Sequence, residues 1–432
     1  MFKATGSLCM VAAIITLPAY ASQVLSVARK AALFQHDIEK RFLFDGQVAC
    51  KLHVPTAQQP DVTYNMPDNA YMTGIYLGSL AMKYAVTRDP ADRAAASAST
   101  RALHLLCTVS GKKGLLARAA WPLHKPFADD GIWRRSPDGK HKWRGDVSSD
   151  QMTGVLYGFA AAYDLAADDA EKKMIAGDVA DLLGALLDNG LMIIDIDGKP
   201  TQFGKYMPGY VKTVEKMNAL LLLQHLKVAA YVTGDARFER EYHRLAVDEQ
   251  YAETAIAARM MRRRVNFSDD VLLFLAYYPL IKHETDAALK ELYLKSLRRT
   301  WEGEGKVPGA KAQGNPFYAF IVHDLLGDDS GVAAGIDALK WFPLDLKWNR
   351  ATIAAYEKEF GFTFNPTPTS PAPKPGETVP VDRRQKTWSA WVQDPYAEAG
   401  ERTADSPLEY NGHDYLAAYW LGRYLGLLTP DM

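Results

Sequence analysis

Acidic residues recur at the starts of several low-charge segments, and their company suggests chemistry. Trp143-Arg144-Gly145-Asp146-Val147-Ser148-Ser149-Asp150-Gln151 packs two carboxylates, a guanidinium, an indole and two hydroxyls into one stretch. Asp269-Asp270 is a doubled acid in an equivalent place, and Asp68-Asn69-Ala70-Tyr71 adds a carboxylate, an amide and a phenol. Cleavage of a glycosidic bond usually takes two carboxyl groups, one kept protonated as acid and one ionised as base or nucleophile. Asp150 with Asp269 or Asp270 could supply that pair. A second constellation, Glu409-Tyr410-Asn411-Gly412-His413-Asp414-Tyr415, sets Tyr410 and His413 where they could carry a proton, as elimination beside a uronate carboxyl requires. Arg144, Asp146, Asp68, Asn69, Gln151, Asn218 and Asp414 offer hydrogen bonds to sugar hydroxyls or a carboxylate, and Trp143, Tyr71 and Trp388 offer stacking faces. Each acid at a helix start is also a good N-cap, the blander use of the same residue.

No close pair or cluster of His and Cys suits a metal, and no P-loop, dinucleotide fingerprint or G-x-S-x-G elbow is present, so no cofactor or metal is expected. Asp195-Ile196-Asp197-Gly198 lacks the further acids of a calcium loop and reads as a β-turn. A net charge of −1 and 48% hydrophobic residues over 432 positions describe a chain with a substantial core and no basic face for nucleic acid.

The elements that must position these groups follow a repeated grammar. A low-charge helix opens on Asp, Asn or Ser, turns at Gly or Asp, and is followed by a more charged helix. Pairs begin at Asp68, Ser148, Lys216, Phe267 and Gly314, and a last helix begins at Asn411. Helices apolar all round are buried, and their charged partners face solvent. The expected fold is all-α, a double-layered ring of helical hairpins with short β-hairpin excursions at 191–203 and 131–143. An amphipathic helix over 23–42 would serve as outer partner to the last inner helix. In such a ring the inner helices run in one direction, so their N-termini share one mouth.

Lys3, the apolar run Leu8–Leu17 and Ala19-Tyr20-Ala21 predict a cleaved export leader over 1–21 and a periplasmic or extracellular protein without an integral membrane span. A single domain is expected over 22–432, with a Pro-rich surface excursion at about 365–381. Cys9 falls in the leader; Cys50 and Cys107 either pair or stay as buried thiols.

This grammar resembles the (α/α)6-toroid catalytic domains of glycoside hydrolases and polysaccharide lyases. The segments 68–74, 109–118, 143–150 and 195–201 resemble stretches of secreted bacterial toroid proteins, in which a Glu more often stands where this chain has Gln151. The resemblance implies an exported carbohydrate-active enzyme with an oligo- or polysaccharide partner. A glycoside hydrolase comes first and a uronate lyase second. A non-catalytic glycan-binding or cell-envelope protein is the third reading, since a fold by itself fixes no reaction.

Overall fold

The computed structural model describes residues 25–125, 127, 129–261, 266–365, 370–385, 389, 394–397 and 406–432. The leader and Trp388 lie outside the described residues. The helices, in chain order, are α1 (Val27–Asp37), α2 (Asn69–Thr87), α3 (Pro90–Thr108), α4 (Ser149–Leu165), α5 (Asp169–Asp188), α6 (Pro208–Thr213), α7 (Met217–Thr233), α8 (Ala236–His243), α9 (Tyr251–Ile256), α10 (Phe267–His283), α11 (Ala287–Glu302), α12 (Pro316–Leu326), α13 (Val332–Trp341), α14 (Arg350–Phe360) and α15 (His413–Tyr424).

Helices α2, α4, α7, α10, α12 and α15 touch in that order, and α15 closes back on α2. Around them α3, α5, α8, α9, α11, α13 and α1 form the outer layer, with α1 against α15 as the amphipathic N-terminal pattern required. The architecture is an (α/α)6 toroid. The inner members have few charges because both their faces are covered: every residue of α2 from Asn69 to Met82 is buried.

Contacts between neighbours advance together, so the inner helices are parallel. Asp68 meets Gln151 and Gly78 meets Tyr157. Thr153 meets His225 and Tyr163 meets Tyr231. Phe274 stacks on Tyr318 at 4.1 Å, and Lys282 meets Asp324. Asn411 meets Met72, and Lys83 lies over Trp420.

The small antiparallel sheets all lie in connections that lead into inner helices, hence at the mouth end. Lys51–His53 is the middle strand between Thr63–Asn65 and Leu408–Tyr410. His141–Arg144 is the middle strand between Ala119–Pro122 and Trp133–Arg135. Met192–Ile194 pairs with Pro200–Lys205 across a turn in which Gly198 has φ +81°. The sequence pattern anticipated this last hairpin and Trp133–Arg144, but not the strands recruited from distant segments.

Three further features refine the expected picture. The outer return after α7 is not one helix: α8 passes through a π-turn at Arg244–Asp248 before α9. Cys50 and Cys107 are both buried and free, so the pairing alternative is not realised. Finally, the axis of the ring is filled. Tyr157 on α4 and Phe317 on α12, on opposite sides, meet edge to face at 6.2 Å. In the Pro-rich region, Val379, Val381, Asp382 and Arg384 are buried against the ring.

The tightest element of the fold is the α2–α4 seam. A Cβ built on Gly74 would lie 2.0 Å from the Gly154 carbonyl oxygen, and one on Gly158 would lie 2.4 Å from that of Gly74. The two backbones touch because no side chain separates them. Gly74→Ala is therefore expected to destabilise the protein by about 3 kcal/mol or more in denaturant unfolding. Gly177→Ala, on an exposed face of α5 with open space around it, is expected to stabilise by about 0.5 kcal/mol.

Candidate active site

The acids at helix starts divide into two groups by what they do. At the far end of the ring Asp89, Asp168, Asp235 and Asp286 are true N-caps of outer helices, each accepting backbone N–H bonds. At the mouth the capping is done by others. Ser148 forms a capping box with Gln151 on α4, and Asn315 caps α12. Asp68 stands at the N-cap of α2 but makes no capping bond. Its carboxylate instead accepts from Gln151 Nε2 at 2.8 Å and from the Arg118 guanidinium at 3.3 Å.

Asp150, in the first turn of α4, is partly exposed, and its described hydrogen-bond partner is the Ser149 hydroxyl at 3.2 Å. Burial pushes its pKa up, the nearby Asp68 charge pushes the same way, and Arg118 opposes both. Burial raises Asp68 as well, but Arg118, Lys51, Arg144 and the Gln151 amide all pull it back. Both carboxyls are thus raised above the ordinary range, with more positive charge set against the rise at Asp68 than at Asp150. Around them stand phenols. Tyr71 is buried and its hydroxyl is pushed well up by burial and by Asp150, Asp68 and Asp414. Tyr206 is buried, lies in the field of Asp150, and its hydroxyl has no hydrogen-bond partner among the described residues.

Asn69 and Asn218 are buried amides with one atom each unpaired among the described residues. Asn69 accepts from the Cys50 N–H through Oδ1, leaving Nδ2 unpaired; Asn218 donates to the Lys205 carbonyl, leaving Oδ1 unpaired. An unpaired buried polar atom costs roughly 1–3 kcal/mol, a cost that water or a ligand removes.

His413 is buried at the start of α15, with Nδ1 2.6 Å from Asn411 Oδ1. Asn411 Nδ2 donates to the Ala49 carbonyl, which fixes the amide's orientation. The Nδ1 therefore carries the proton, and Nε2 keeps its lone pair. Burial lowers the His413 pKa to about 4, so the ring is neutral near pH 7. Tyr410 is paired in register with Lys51, so both side chains share one face of their sheet. Lys51 acts on the Asp68 carboxyl, which puts that face toward the mouth.

Other candidates have different duties. Asp270 is fully buried and accepts both arms of the Arg259 guanidinium at 2.7 and 3.1 Å, plus Gln313 Nε2 at 2.5 Å. It is a structural ion pair rather than a free acid. Asp269 is partly exposed and accepts from Asn266 Nδ2 at 2.7 Å. Asp414 is buried against Lys347 at 2.8 Å. Trp143 is 1% exposed, with Arg134 over its ring, so it offers no open stacking face. Arg144 is held by Asp129 at 2.7 Å. Asp146, at φ +55°, accepts from the Gln202 N–H and donates its own N–H to Asp195, pinning two connections together. Gln151 is a cap and a bridge. Sequence reasoning missed Arg118 and Lys51, whose only sequence signal was proximity to the segments singled out.

No protein-family model matches the chain, and no curated protein matches it. Solved structures do. A GH76 alpha-mannanase of Bacteroides thetaiotaomicron is 10% identical over 93% of this chain and 96% of its own, with a TM-score of 0.49. An unsaturated glucuronyl hydrolase specific for heparin is 13% identical over 93% and 96%, TM-score 0.44. A cellobiose 2-epimerase from Spirochaeta thermophila is 13% identical over 93% and 98%, TM-score 0.41.

The division of the acids is testable by stability. Asp270→Asn strands the buried Arg259 charge and is expected to cost about 3–5 kcal/mol in denaturant unfolding, whereas Asp150→Asn is expected to be neutral or stabilising. Replacing His413 by Asn tests the imidazole. Its folded pKa of about 4 lies below the unfolded value of 6.5, so the unfolded chain binds the proton first. Its contribution is complete above pH 6.5 and is lost as pH falls toward 4. The wild type should therefore lose a few kcal/mol more than His413→Asn across that window.

Proposed function

We propose that the mouth of the ring is the active site of a carbohydrate-active enzyme, a glycoside hydrolase in which Asp150 is the general acid and Asp68 the base or nucleophile. The observation that carries this reading is the diversion of Asp68 from its N-cap position to Arg118 and Gln151, in the field of an Asp150 that makes no ion pair among the described residues. Helix ends at this mouth are closed by Ser148 and Asn315, so capping does not account for either acid. The open amide atoms of Asn69 and Asn218 and the Tyr206 hydroxyl are suited to a ligand rich in hydroxyls. Tyr71 borders the same site. The leader ahead of Ser22 supports export as part of the proposal.

A second reading, elimination from a uronate polysaccharide, draws on His413, whose neutral ring keeps a lone pair on Nε2 while Asn411 holds Nδ1. Tyr410 on the neighbouring strand would assist. A scaffold that binds glycans without turnover is the third.

Product chemistry separates them. With a panel of oligo- and polysaccharides, the hydrolase reading expects new reducing ends without ultraviolet absorbance, and a drop of about 10²–10⁴ in kcat for Asp150→Asn. Asp68→Asn should lose activity comparably. An unsaturated, ultraviolet-absorbing product that survives Asp150→Asn but not His413→Asn would replace hydrolysis with elimination. Binding without any turnover would leave only the scaffold.

A further inference from the structure

The end of the ring opposite the mouth contains a cavity that the proposed chemistry does not use. Its volume is about 100 Å³. Its walls come from the C-terminal parts of inner helices: Met82 of α2, Tyr157 and Ala160 of α4, Tyr278 and Pro279 of α10, and Tyr424 of α15. Asp164, Lys282 and His283 form the rim. The contact between Tyr157 and Phe317 closes the axis above it, so the cavity is separated from Asp68 and Asp150.

We propose that this cavity is a binding site for a small, uncharged, single-ring aromatic molecule bearing a hydroxyl, the chemistry of a phenol. Three observations select that class. The first is size and lining. An apolar cavity of about 150 Å³ admits benzene, and this one is of the same order, opens at its rim, and presents aromatic and thioether surface.

The second is charge. Lys282 is paired with Asp324 at 2.8 Å. His283 lies 3.3 Å from Asp164, and Asp164 also accepts the Tyr231 hydroxyl at 2.7 Å. Tyr231 in turn stacks on the His283 ring at 3.9 Å. Each rim charge is thus answered inside the protein. A charged ligand would gain no open counter-ion and would lose its hydration.

The third is the Tyr157 hydroxyl. Tyr157 is 2% exposed, lines the cavity, and its hydroxyl has no hydrogen-bond partner among the described residues. The hydroxyl oxygen keeps a little solvent contact, so a ligand hydroxyl pairs with it where a plain hydrocarbon would only displace its water.

The test uses the full chain and four probes: phenol, toluene, benzoate and benzylammonium, titrated by ligand-observed NMR and calorimetry. Phenol is expected to bind saturably and more tightly than the other three. Tyr157→Phe keeps the ring and its volume and is expected to weaken phenol roughly fivefold while leaving toluene within about twofold. Ala160→Leu fills the cavity and is expected to abolish both. Absence of saturable phenol binding, tighter binding of either ion, or unchanged phenol affinity in Tyr157→Phe would each overturn the proposal. Glycan turnover at the mouth plays no part in these readouts.

Discussion

The contact of α2 with α4 sets the geometry on which the rest of the molecule depends. Gly74, Gly154 and Gly158 let the two backbones meet directly, and Tyr71 lies across Gly154. Two parallel helices in backbone contact have their first turns side by side. That is why Asp68, which opens one, reaches Gln151, which opens the other, and why Asp150 stands in the same electrostatic field. The same tightness draws the ring inward. Tyr157 and Phe317 then meet across the axis, between the mouth and the opposite end.

Buried charge in this protein sorts into committed and uncommitted groups. Asp37 is surrounded by Arg41, the Trp348 indole N–H and the Tyr356 hydroxyl, and Glu409 binds Arg41 and the Asn349 N–H. These fasten α1, α14 and the strand before α15 where the ring closes. Asp270 with Arg259 and Asp414 with Lys347 do the same near the starts of α10 and α15. Such pairs balance desolvation against attraction only when nearly every hydrogen bond is made, and removing one partner leaves an ion without compensation. Asp150 has no comparable set of donors. The contrast between sealed and open carboxyls, within one ring of helix starts, is the strongest local argument for where reaction occurs.

The layered ring was legible because inner and outer helices differ in composition. A helix such as 69–87, buried from Asn69 to Met82, carries a charge only beyond that stretch, at Lys83, while α3, α5 and α11 carry several. The parallel setting followed from short turns that return each outer helix to the next inner start. The hairpin at 192–205 was legible from its local turn, whereas the sheet joining Leu408–Tyr410 to Lys51–His53 was not, because its strands lie far apart in sequence. The π-turn at Arg244–Asp248 interrupts the outer return after α7 and leaves no compositional mark, because the segment stays helical in composition.

The sequence by itself predicted that Asp68, Asp150, Asp270, His413 and Asp414 open inner helices at a common end, since periodicity and direction place helix starts without knowledge of any partner. Only the tertiary structure decided which of them stay available. Asp270 and Asp150 look alike in a string of letters: each is an acid in the first turn of an inner helix. One faces Arg259 and Gln313, brought in from other segments, and the other faces a hydroxyl and a second acid. The state of a carboxyl is set by what lies within a few ångströms in space, and chain order does not encode that distance.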